Sequence, residues 1–397
     1  MKLSSTHTKL ASYVGYLTQA LTINFAPLLF ITFVNTYNIS ITKISLLIAI
    51  SFFTQLMTDS FEAKFGSKLN MRATVVLAHI IAILGITGYA YLPDIMPTPF
   101  SGLVICVILS AIGAGIVEVV ISPIVEACPT GGKSAAMSLL HSFYSWGQAG
   151  VVILSTIFFK FVGIEHWRIL ACLWAIIPAI GALAFCFVPI YTLAADKKST
   201  SSNVKQASPF RSGTFVIFFL LMICSGASEM AISQWASTFA ESGLGVSKAV
   251  GDILGPCCFA ILMGVARVGY AKISDRIDLR KFILYSAMLC IISYLIAALS
   301  PNPVISLFGC ALCGLSVGIM WPGTYSLATK TVPNMGLTAF AILAIGGDLG
   351  CMIGPAAAGF IAGLFNDNLK ISFLLSAAFP ITMLIILISY SKLKRND

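Results

Sequence analysis

Long apolar runs of the 397-residue sequence contain ionisable side chains, among them Glu118, Glu229, Arg267 and Asp348. A charge at the centre of a bilayer costs about 2.5 to 3.5 kcal/mol even on lenient insertion scales, so each group is expected to face a partner or water. Burial favours a neutral acid, whereas water or a cation favours a carboxylate. An acid that alternates between these environments can carry a proton, and we predict this proton-coupling role for Glu118 and Glu229.

Other interpretations of these four residues stay open. Either glutamate could instead make a helix-packing hydrogen bond as a neutral acid. Arg267 could be the counter-ion of Glu229, a ligand for an acidic substrate, or an anchor that extends toward the basic loop after it. Asp348 could titrate or bind a cation, but the glycines around it favour close helix packing and therefore a structural role.

Neutral polar and aromatic residues in the apolar runs indicate what a cavity could hold. Hydrogen-bond donors, acceptors and aromatic faces are all typical of sugar sites, although aromatic belts at the membrane interface also explain some Tyr and Trp residues. Glu118 and Ser122, four apart, can share a helix face. We predict that the solute is bound by Tyr16, Gln19, Asn24, Glu118, Ser122, His141, Tyr144, Gln148, Glu229, Gln234, Trp235, Trp321 and Tyr325.

His79 and the cysteines are predicted to have structural roles. His79 stands alone in an apolar run, which favours a packed histidine over a proton carrier. The 11 cysteines lie almost entirely inside apolar runs rather than in polar loops, so they are interpreted as small hydrophobic residues. We predict neither a metal site nor a cofactor.

The composition excludes a soluble globular protein, because 58% of the residues are hydrophobic and only 10% are charged, against about 25% charged in soluble domains. A membrane-spanning helix needs about 20 apolar residues, so an all-α membrane protein with twelve transmembrane helices is predicted. The predicted spans are Ala11–Asn35, Ile44–Glu62, Ala73–Tyr91, Phe100–Glu126, Ala135–Phe161, Trp167–Tyr191, Gly213–Phe239, Ala249–Ala271, Lys281–Leu299, Val304–Thr329, Gly336–Phe365 and Ile371–Tyr390. Bends are expected at Pro27, Pro123, Pro178, Pro256, Pro322 and Pro355.

A polar stretch rich in Ser and Lys divides the chain into two halves of equal helix number. We predict an N-terminal six-helix bundle at residues 1–193, a cytoplasmic linker at 194–211 and a C-terminal six-helix bundle at 212–397. Two halves in the same orientation are typical of pseudo-symmetric transporters, in which the solute binds near mid-membrane where the halves meet.

Most of the 24 Lys and Arg residues fall on one side when the N-terminus is assigned to the cytoplasm. The positive-inside rule then predicts a multi-pass protein of the plasma or inner membrane with both termini in the cytoplasm. The net charge of +9 follows from these loops, so no nucleic-acid partner is predicted.

One loop carries a recognisable motif, GYAKISDRIDLRK, with Gly269, Asp275, Arg276, Arg280 and Lys281. It resembles the signature loop of the major facilitator superfamily. An acid at the cytoplasmic end of a helix can pair with nearby basic groups and close an inner gate, although such charges also anchor helices in membranes. The equivalent first-half loop, DSFEAKFGSK, keeps Lys64 but has Ala63 at the acidic position. The predicted gating residues are Lys64, Asp275, Arg276 and Arg280.

Four further segments look like the fucose-permease-like branch of sugar:proton symporters: GAGIVEVVISP, LLHSFYSWGQAG, SGASEMAISQW and WPGTYSLA. That resemblance implies the major facilitator fold and assigns proton coupling to an acid in helix four, where Glu118 stands. The family also has an aspartate in helix one, but Asn24 stands there and cannot titrate. This departure weakens a two-carboxylate coupling scheme taken over from the family.

Together these observations predict a monomeric secondary transporter in which two bundles rock around a polar cavity. The expected partners are a small polar solute such as a sugar, a coupling ion, and the lipid bilayer. Protons are the expected coupling ion, and sodium is the alternative. An enzyme is not expected, because the sequence has no Walker loop, metal-ligand spacing or nucleophile constellation. The alternatives are a proton-coupled exporter of amphipathic or drug-like compounds and a non-transporting nutrient sensor.

Overall fold

The computed structural model describes residues 3–65, 69–129, 133–191, 213–273, 278–332 and 337–396. Within these ranges the secondary structure is helical, with no β-strand, and twelve helical segments are long and apolar enough to cross a membrane. The predicted all-α class and the twelve spans are therefore confirmed. The predicted linker at 194–211 lies outside the described residues, and the domain limits on either side of it stay a prediction.

The first six spans are Ser5–Tyr37, Ile41–Glu62, Met71–Ile95, Pro99–Val125, Leu139–Val162 and Ile164–Phe187. Their helices are α1 (Ser5–Asn24), α2 (Phe30–Tyr37), α3 (Ile41–Phe65), α4 (Met71–Ile95), α5 (Pro99–Ala127), α6 (Lys133–Val162), α7 (Trp167–Trp174) and α8 (Ile176–Phe187). Capping favours these limits: the side chains of Asn70 and Thr98 accept hydrogen bonds from the first turns of α4 and α5.

The last six spans are Gly213–Gly243, Lys248–Tyr270, Leu279–Leu299, Pro303–Ala328, Ile342–Leu364 and Leu369–Ser389. Their helices are α9 (Gly213–Thr238), α10 (Lys248–Asp252), α11 (Cys258–Ile273), α12 (Leu279–Leu299), α13 (Pro303–Val317), α14 (Met320–Thr331), α15 (Leu337–Leu364), α16 (Leu369–Ser376) and α17 (Ala378–Asn396). Asp278, Asn302 and Asn368 cap α12, α13 and α16.

Several predicted bends coincide with changes in the helical hydrogen-bond pattern. Pro27 lies in the 3₁₀ turn Ala26–Leu29, and Pro256 lies in the π-helical turn Ile253–Cys257. Pro178 and Pro322 each stand in the first turn of a new helix, where a missing backbone N–H costs nothing. In contrast, α5 continues through Pro123 and α15 continues through Pro355.

The chain forms two compact units. Unit 1 comprises Met1–Leu29 and Phe53–Gln206, and unit 2 comprises Phe30–Phe52 and Ala207–Asp397. The core of unit 1 is built from buried residues of α1, α4, α5 and α6, such as Tyr16, Ala78 and Ile121. This core holds α1 beside α5, which is what positions the candidate site of unit 1.

Glycines bring α9 and α15 of unit 2 into backbone contact. A methyl group added at Gly350 would lie 2.1 Å from the carbonyl oxygen of Ile223, and one at Gly354 would lie 2.4 Å from that of Ala227. Such approach requires residues without a side chain. The backbone of α9, which carries Glu229, is therefore held directly against α15.

Candidate functional site

Glu118 of α5 lies between two glutamines in unit 1. The amide nitrogens of Gln19 on α1 and Gln55 on α3 donate to the same carboxylate oxygen, Oε2, at 2.6 and 2.8 Å. Both glutamine side chains are buried. Gln55 was not among the predicted site residues. Its sequence signal was a single amide within the apolar run FFTQLM.

Tyr16, Ser122 and His141 extend this site along α1, α5 and α6. The hydroxyl groups of Tyr16 and Ser122 share a hydrogen bond of 2.8 Å, and the ring of His141 meets that of Tyr16 edge-on at 5.2 Å between centroids. Five predicted residues are thus brought together in unit 1: Tyr16, Gln19, Glu118, Ser122 and His141.

The other predicted residues of unit 1 lie on the same helices. Asn24 is buried and donates through Nδ2 to the carbonyl of Ala20, 2.8 Å away on its own helix. Tyr144 and Gln148 follow His141 on α6, and the side chain of Gln148 is buried. The solute-binding roles predicted for Asn24, Tyr144 and Gln148 stay predictions.

A second carboxyl group, which the solute-site prediction did not include, lies one helical turn from Glu118. A methyl group added at Gly115 of α5 would lie 2.7 Å from Oδ1 of Asp59 on α3. An alanine at this position of α5 would require the Asp59 side chain to move. Gln55 and Asp59 are four residues apart, so both face α5.

Glu229 of α9 and Arg267 of α11 form an ion pair in unit 2. Their Oε1 and Nη2 atoms are 3.7 Å apart, and the two side chains are 7% and 25% exposed respectively. Nε of Arg267 also lies 3.4 Å from the carbonyl oxygen of Gly318. Of the three roles considered for Arg267, this geometry favours the counter-ion of Glu229.

Gln234 and Trp235 follow Glu229 on α9. The indole Nε1 of Trp235 donates to the carbonyl of Pro355 at 2.9 Å, its ring packs against that of Phe30, and no part of Trp235 is exposed. The Gln234 amide lies 4.0 Å from the sulfur of Met230. These are helix-packing contacts, and the predicted solute contacts of Gln234 and Trp235 stay predictions.

Trp321 and Tyr325 form an aromatic pair on α14, with ring centroids 6.5 Å apart. The Trp321 indole lies against α15, because a methyl group at Gly347 would come within 2.0 Å of it. Asp348, the next residue of α15, is buried. The glycine beside Asp348 thus serves close packing, as the sequence predicted for that segment.

A charged cluster around the buried Asp252 in unit 2 was not predicted from the sequence. Asp252 is completely buried, pairs with Lys248 at 3.1 Å and accepts a hydrogen bond from Ser237. Glu241 lies 4.0 Å from the same Lys248 ammonium. Glu241 lies in the π-helical turn Phe239–Gly243 at the end of span 7, whereas Lys248 and Asp252 lie on α10 at the start of span 8. The cluster therefore joins the two spans.

The predicted gating residues are only partly described. Lys64 lies 5.3 Å from the centre of the Phe65 ring, and Arg280 at the start of α12 reaches the carbonyl of Leu387 on α17 at 3.4 Å. Asp275 and Arg276 lie outside the described residues. The gating roles of all four residues stay predictions.

His79 and most of the cysteines are buried, whereas Cys186 is exposed. His79 is completely buried, and its Nδ1 lies 2.7 Å from the carbonyl oxygen of Val75, as expected for a packed histidine. The cysteines are free thiols. No group of three or more His, Cys, Asp or Glu side chains within the described ranges could hold a metal ion.

Comparison with known proteins gives the family. A family model of the Major Facilitator Superfamily matches residues 12–338 and 258–396. The multi-drug resistance efflux pump PmrA of Streptococcus pneumoniae is 22% identical over 309 residues, which are 76% of this chain and 74% of that protein. The resemblance to the superfamily is therefore confirmed.

Solved structures show the same fold. The nucleoside transporter NupG superposes with a TM-score of 0.76 at 12% identity, covering 97% of this chain and 98% of its own. A mutant of the E. coli fucose:proton symporter FucP superposes with a TM-score of 0.64 at 16% identity, covering 97% and 98%. At these identities the likeness concerns the fold alone.

Proposed function

The chain belongs to the Major Facilitator Superfamily, and we propose that it moves a sugar or another small polar solute by alternating access, coupled to protons. It is a multi-pass membrane transporter and not an enzyme. The proposal adds the solute class, the coupling ion and the residues that carry them. We also propose, as predicted from the sequence, that the protein is a monomer and that both termini lie in the cytoplasm.

The observation that carries the proposal is the setting of Glu118. Within the described residues, its hydrogen bonds come from two neutral amides, those of Gln19 and Gln55. Because no cation has to be left unpaired, Glu118 can become neutral without exposing an opposite charge to the membrane interior. An acid that tolerates both charge states is what a proton-coupled transporter requires.

Glu229 differs, because its partner is a cation. Neutralising Glu229 would break its ion pair with the Arg267 guanidinium, whose side chain is only 25% exposed. We therefore assign the proton to Glu118 and propose that Glu229 and Arg267 recognise the polar groups of the solute. Carboxylate and guanidinium together offer acceptors and donors to hydroxyl groups.

The residues beside Glu118 are also suited to a sugar. Tyr16 and Ser122 supply hydroxyl groups, and His141 adds a ring that both stacks and hydrogen-bonds. NupG, FucP and the D-xylose-proton symporter, whose structures resemble this chain, are named for nucleoside or sugar transport. These names support a small polar solute, and the geometry supports its binding near Glu118.

A second candidate function is proton-coupled export of amphipathic compounds. It is favoured by the relative PmrA, a multi-drug resistance efflux pump. The rings of Tyr13 and Phe143 stack at 4.3 Å between centroids, one helical turn from Tyr16. An aromatic surface close to an acid suits an amphipathic cation. The direction of proton-driven movement separates the two functions.

The test uses the purified full-length protein in proteoliposomes with an imposed pH gradient. Radiolabelled sugars, nucleosides and a fluorescent organic cation are offered in turn, with a sodium gradient as the alternative driving force. We expect uptake of a sugar or nucleoside to depend on the proton gradient. Glu118→Gln should abolish accumulation but spare solute exchange, because an amide cannot carry a proton.

Thr18→Val is the matched control on the same helix, because the Thr18 side chain is buried and its hydroxyl bonds only the carbonyl of Val14 in α1. It should accumulate solute like the wild type. Accumulation that survives Glu118→Gln unchanged would remove Glu118 from the coupling role. Export of the organic cation without sugar or nucleoside uptake would establish the second candidate instead.

A further inference from the structure

Both glutamines at Glu118 donate to one oxygen of its carboxylate. Nε2 of Gln19 and Nε2 of Gln55 lie 2.6 and 2.8 Å from Oε2. Because an ionised carboxylate offers only acceptor lone pairs, each amide must turn its nitrogen toward it. The arrangement is therefore the one that suits the ionised acid.

Gln19 carries an unsatisfied acceptor in this arrangement. The residue is only 4% exposed, and its Oε1 is buried with no hydrogen-bond partner among the described residues. Buried carbonyl oxygens are nearly always paired, so an unpaired one needs an explanation. A donor that is present in only one state of the transporter would supply it.

We propose that Gln19 is a positioning residue whose amide turns over when Glu118 takes up its proton, an inference that rests on the function proposed above. A half-turn of the amide exchanges its nitrogen and oxygen, so that Oε1 takes the place 2.6 Å from Oε2 of Glu118. The protonated Oε2 then donates its O–H to Gln19, while Gln55 continues to donate to Oε2. In both charge states Oε2 of Glu118 is then hydrogen-bonded to both amides.

The chemical step is a simple protonation. A proton from water forms an O–H bond with the carboxylate and is later returned to water on the other side, and nothing is oxidised or reduced. Gln55 acts as a constant donor, whereas Gln19 is a donor to the carboxylate and an acceptor from the acid. The two glutamines therefore have different roles despite their similar distances.

Other titratable groups lie around this site and have partners of their own. Tyr16 bonds Ser122, His141 packs edge-on against Tyr16, and His79 bonds the carbonyl of Val75. Asp59 lies against Gly115, one turn from Glu118 on α5. A measurement of the site must therefore isolate Glu118 from these groups, above all from Asp59.

The experiment is an infrared titration of the full-length protein in lipid, in which the carbonyl band of neutral carboxylic acids is followed against pH. The band lost in Glu118→Gln belongs to Glu118, so subtraction removes Asp59 and the other acids. Gln19→Met and Gln55→Met replace each amide by an apolar side chain of similar length. Thr18→Val serves again as the control with an unchanged midpoint.

We expect Gln55→Met to move the midpoint of the Glu118 band upward by about one pH unit, because the ionised form loses a charge-assisted hydrogen bond. Gln19→Met should move it by less than half as much, because ionised and neutral forms each lose a partner. In Gln19→Met alone, the band should also move to higher wavenumber, because the acid O–H has lost its acceptor.

The proposal is overturned if Gln19→Met moves the midpoint as far as Gln55→Met does and leaves the band position unchanged, which is the behaviour of a plain donor. If the variants do not fold, a measurement on the wild-type protein tests the proposal in their place. With isotope-labelled glutamine, a side-chain amide band should change at the same midpoint pH as the Glu118 band. If the amide band stays constant through that pH, the proposed turn of the Gln19 amide is also excluded.

Failure of the proposed function gives a different result. If Glu118→Gln removes no pH-dependent carboxyl band, Glu118 does not exchange protons and the coupling role falls. If that band is present but Gln19→Met acts like Gln55→Met, the coupling role stands and only the turnover of Gln19 is lost.

Discussion

Glu118 and Glu229 have different partners, although both lie in the middle of apolar helices. Glu118 in unit 1 is held by the neutral amides of Gln19 and Gln55, whereas Glu229 in unit 2 is held by the Arg267 cation. A neutral partner permits both charge states of an acid, whereas a buried cation strongly favours the ionised one. On this comparison, the proposed division of roles between the two glutamates depends on their partners rather than on the acids themselves.

The largest expected effect comes from removing the cation. Arg267→Met leaves the Glu229 carboxylate buried without a counter-charge and should lower the free energy of unfolding by about 3 kcal/mol. Gln55→Met should lower it by only about 1 kcal/mol, because Glu118 can become neutral. Thermal unfolding of the purified variants at neutral pH measures both changes.

The double variant Arg267→Met/Glu229→Gln is the control for that comparison. It removes both charges, so most of the stability lost in Arg267→Met should return. Equal destabilisation by Arg267→Met and Gln55→Met would show that the two acids do not differ in the way proposed here.

A smaller effect tests how each unit positions its acid. Gly350→Ala would place a methyl group 2.1 Å from the carbonyl oxygen of Ile223, so α9 and α15 must separate. We expect a loss of about 2 kcal/mol in the free energy of unfolding and weaker solute binding, because α9 carries Glu229.

The matched variant in unit 1 is Gly15→Ala. There the new methyl group would lie 2.1 Å from the terminal carbon of the Ile121 side chain. That side chain can rotate away, whereas a backbone carbonyl cannot. Gly15→Ala should therefore be the milder change in thermal unfolding. The reverse order would mean that backbone contact does not hold α9 in place.

The smallest effect concerns solute affinity. Glu229→Gln keeps the size of the side chain but removes its charge, and it should weaken solute binding about tenfold, or about 1.4 kcal/mol. Proton-driven accumulation at saturating solute should keep its pH dependence, in contrast to Glu118→Gln. Solute counterflow in proteoliposomes measures the affinity, and wild-type affinity in Glu229→Gln would exclude Glu229 from the solute site.

Much of the fold was accessible from the sequence, because membrane spans depend on local composition. Twelve apolar runs predicted twelve spans, and the breaks at Pro27 and Pro256 followed from the missing proline N–H. The helices that continue through Pro123 and Pro355 show the limit of that rule, because packing against neighbouring helices can outweigh one lost hydrogen bond.

The candidate site was only partly accessible in the same way. Glu118, Gln19, Tyr16, Ser122 and His141 were predicted, and the structure brings them together. The contact of Gln55 with Glu118 and the ion pair between Lys248 and the buried Asp252 were not predicted. A single amide in an apolar run has the same local pattern whether it faces lipid, a neighbouring helix or an acid.

The sequence by itself determined that this chain is a helical membrane protein with acids inside its spans, because hydropathy and charge are properties of each segment alone. Only the tertiary structure decided that Glu118 has amide partners and that Glu229 has a cation. Those partners come from helices far apart in the chain, such as α1 and α5, and their contacts depend on how closely small residues allow the helices to approach.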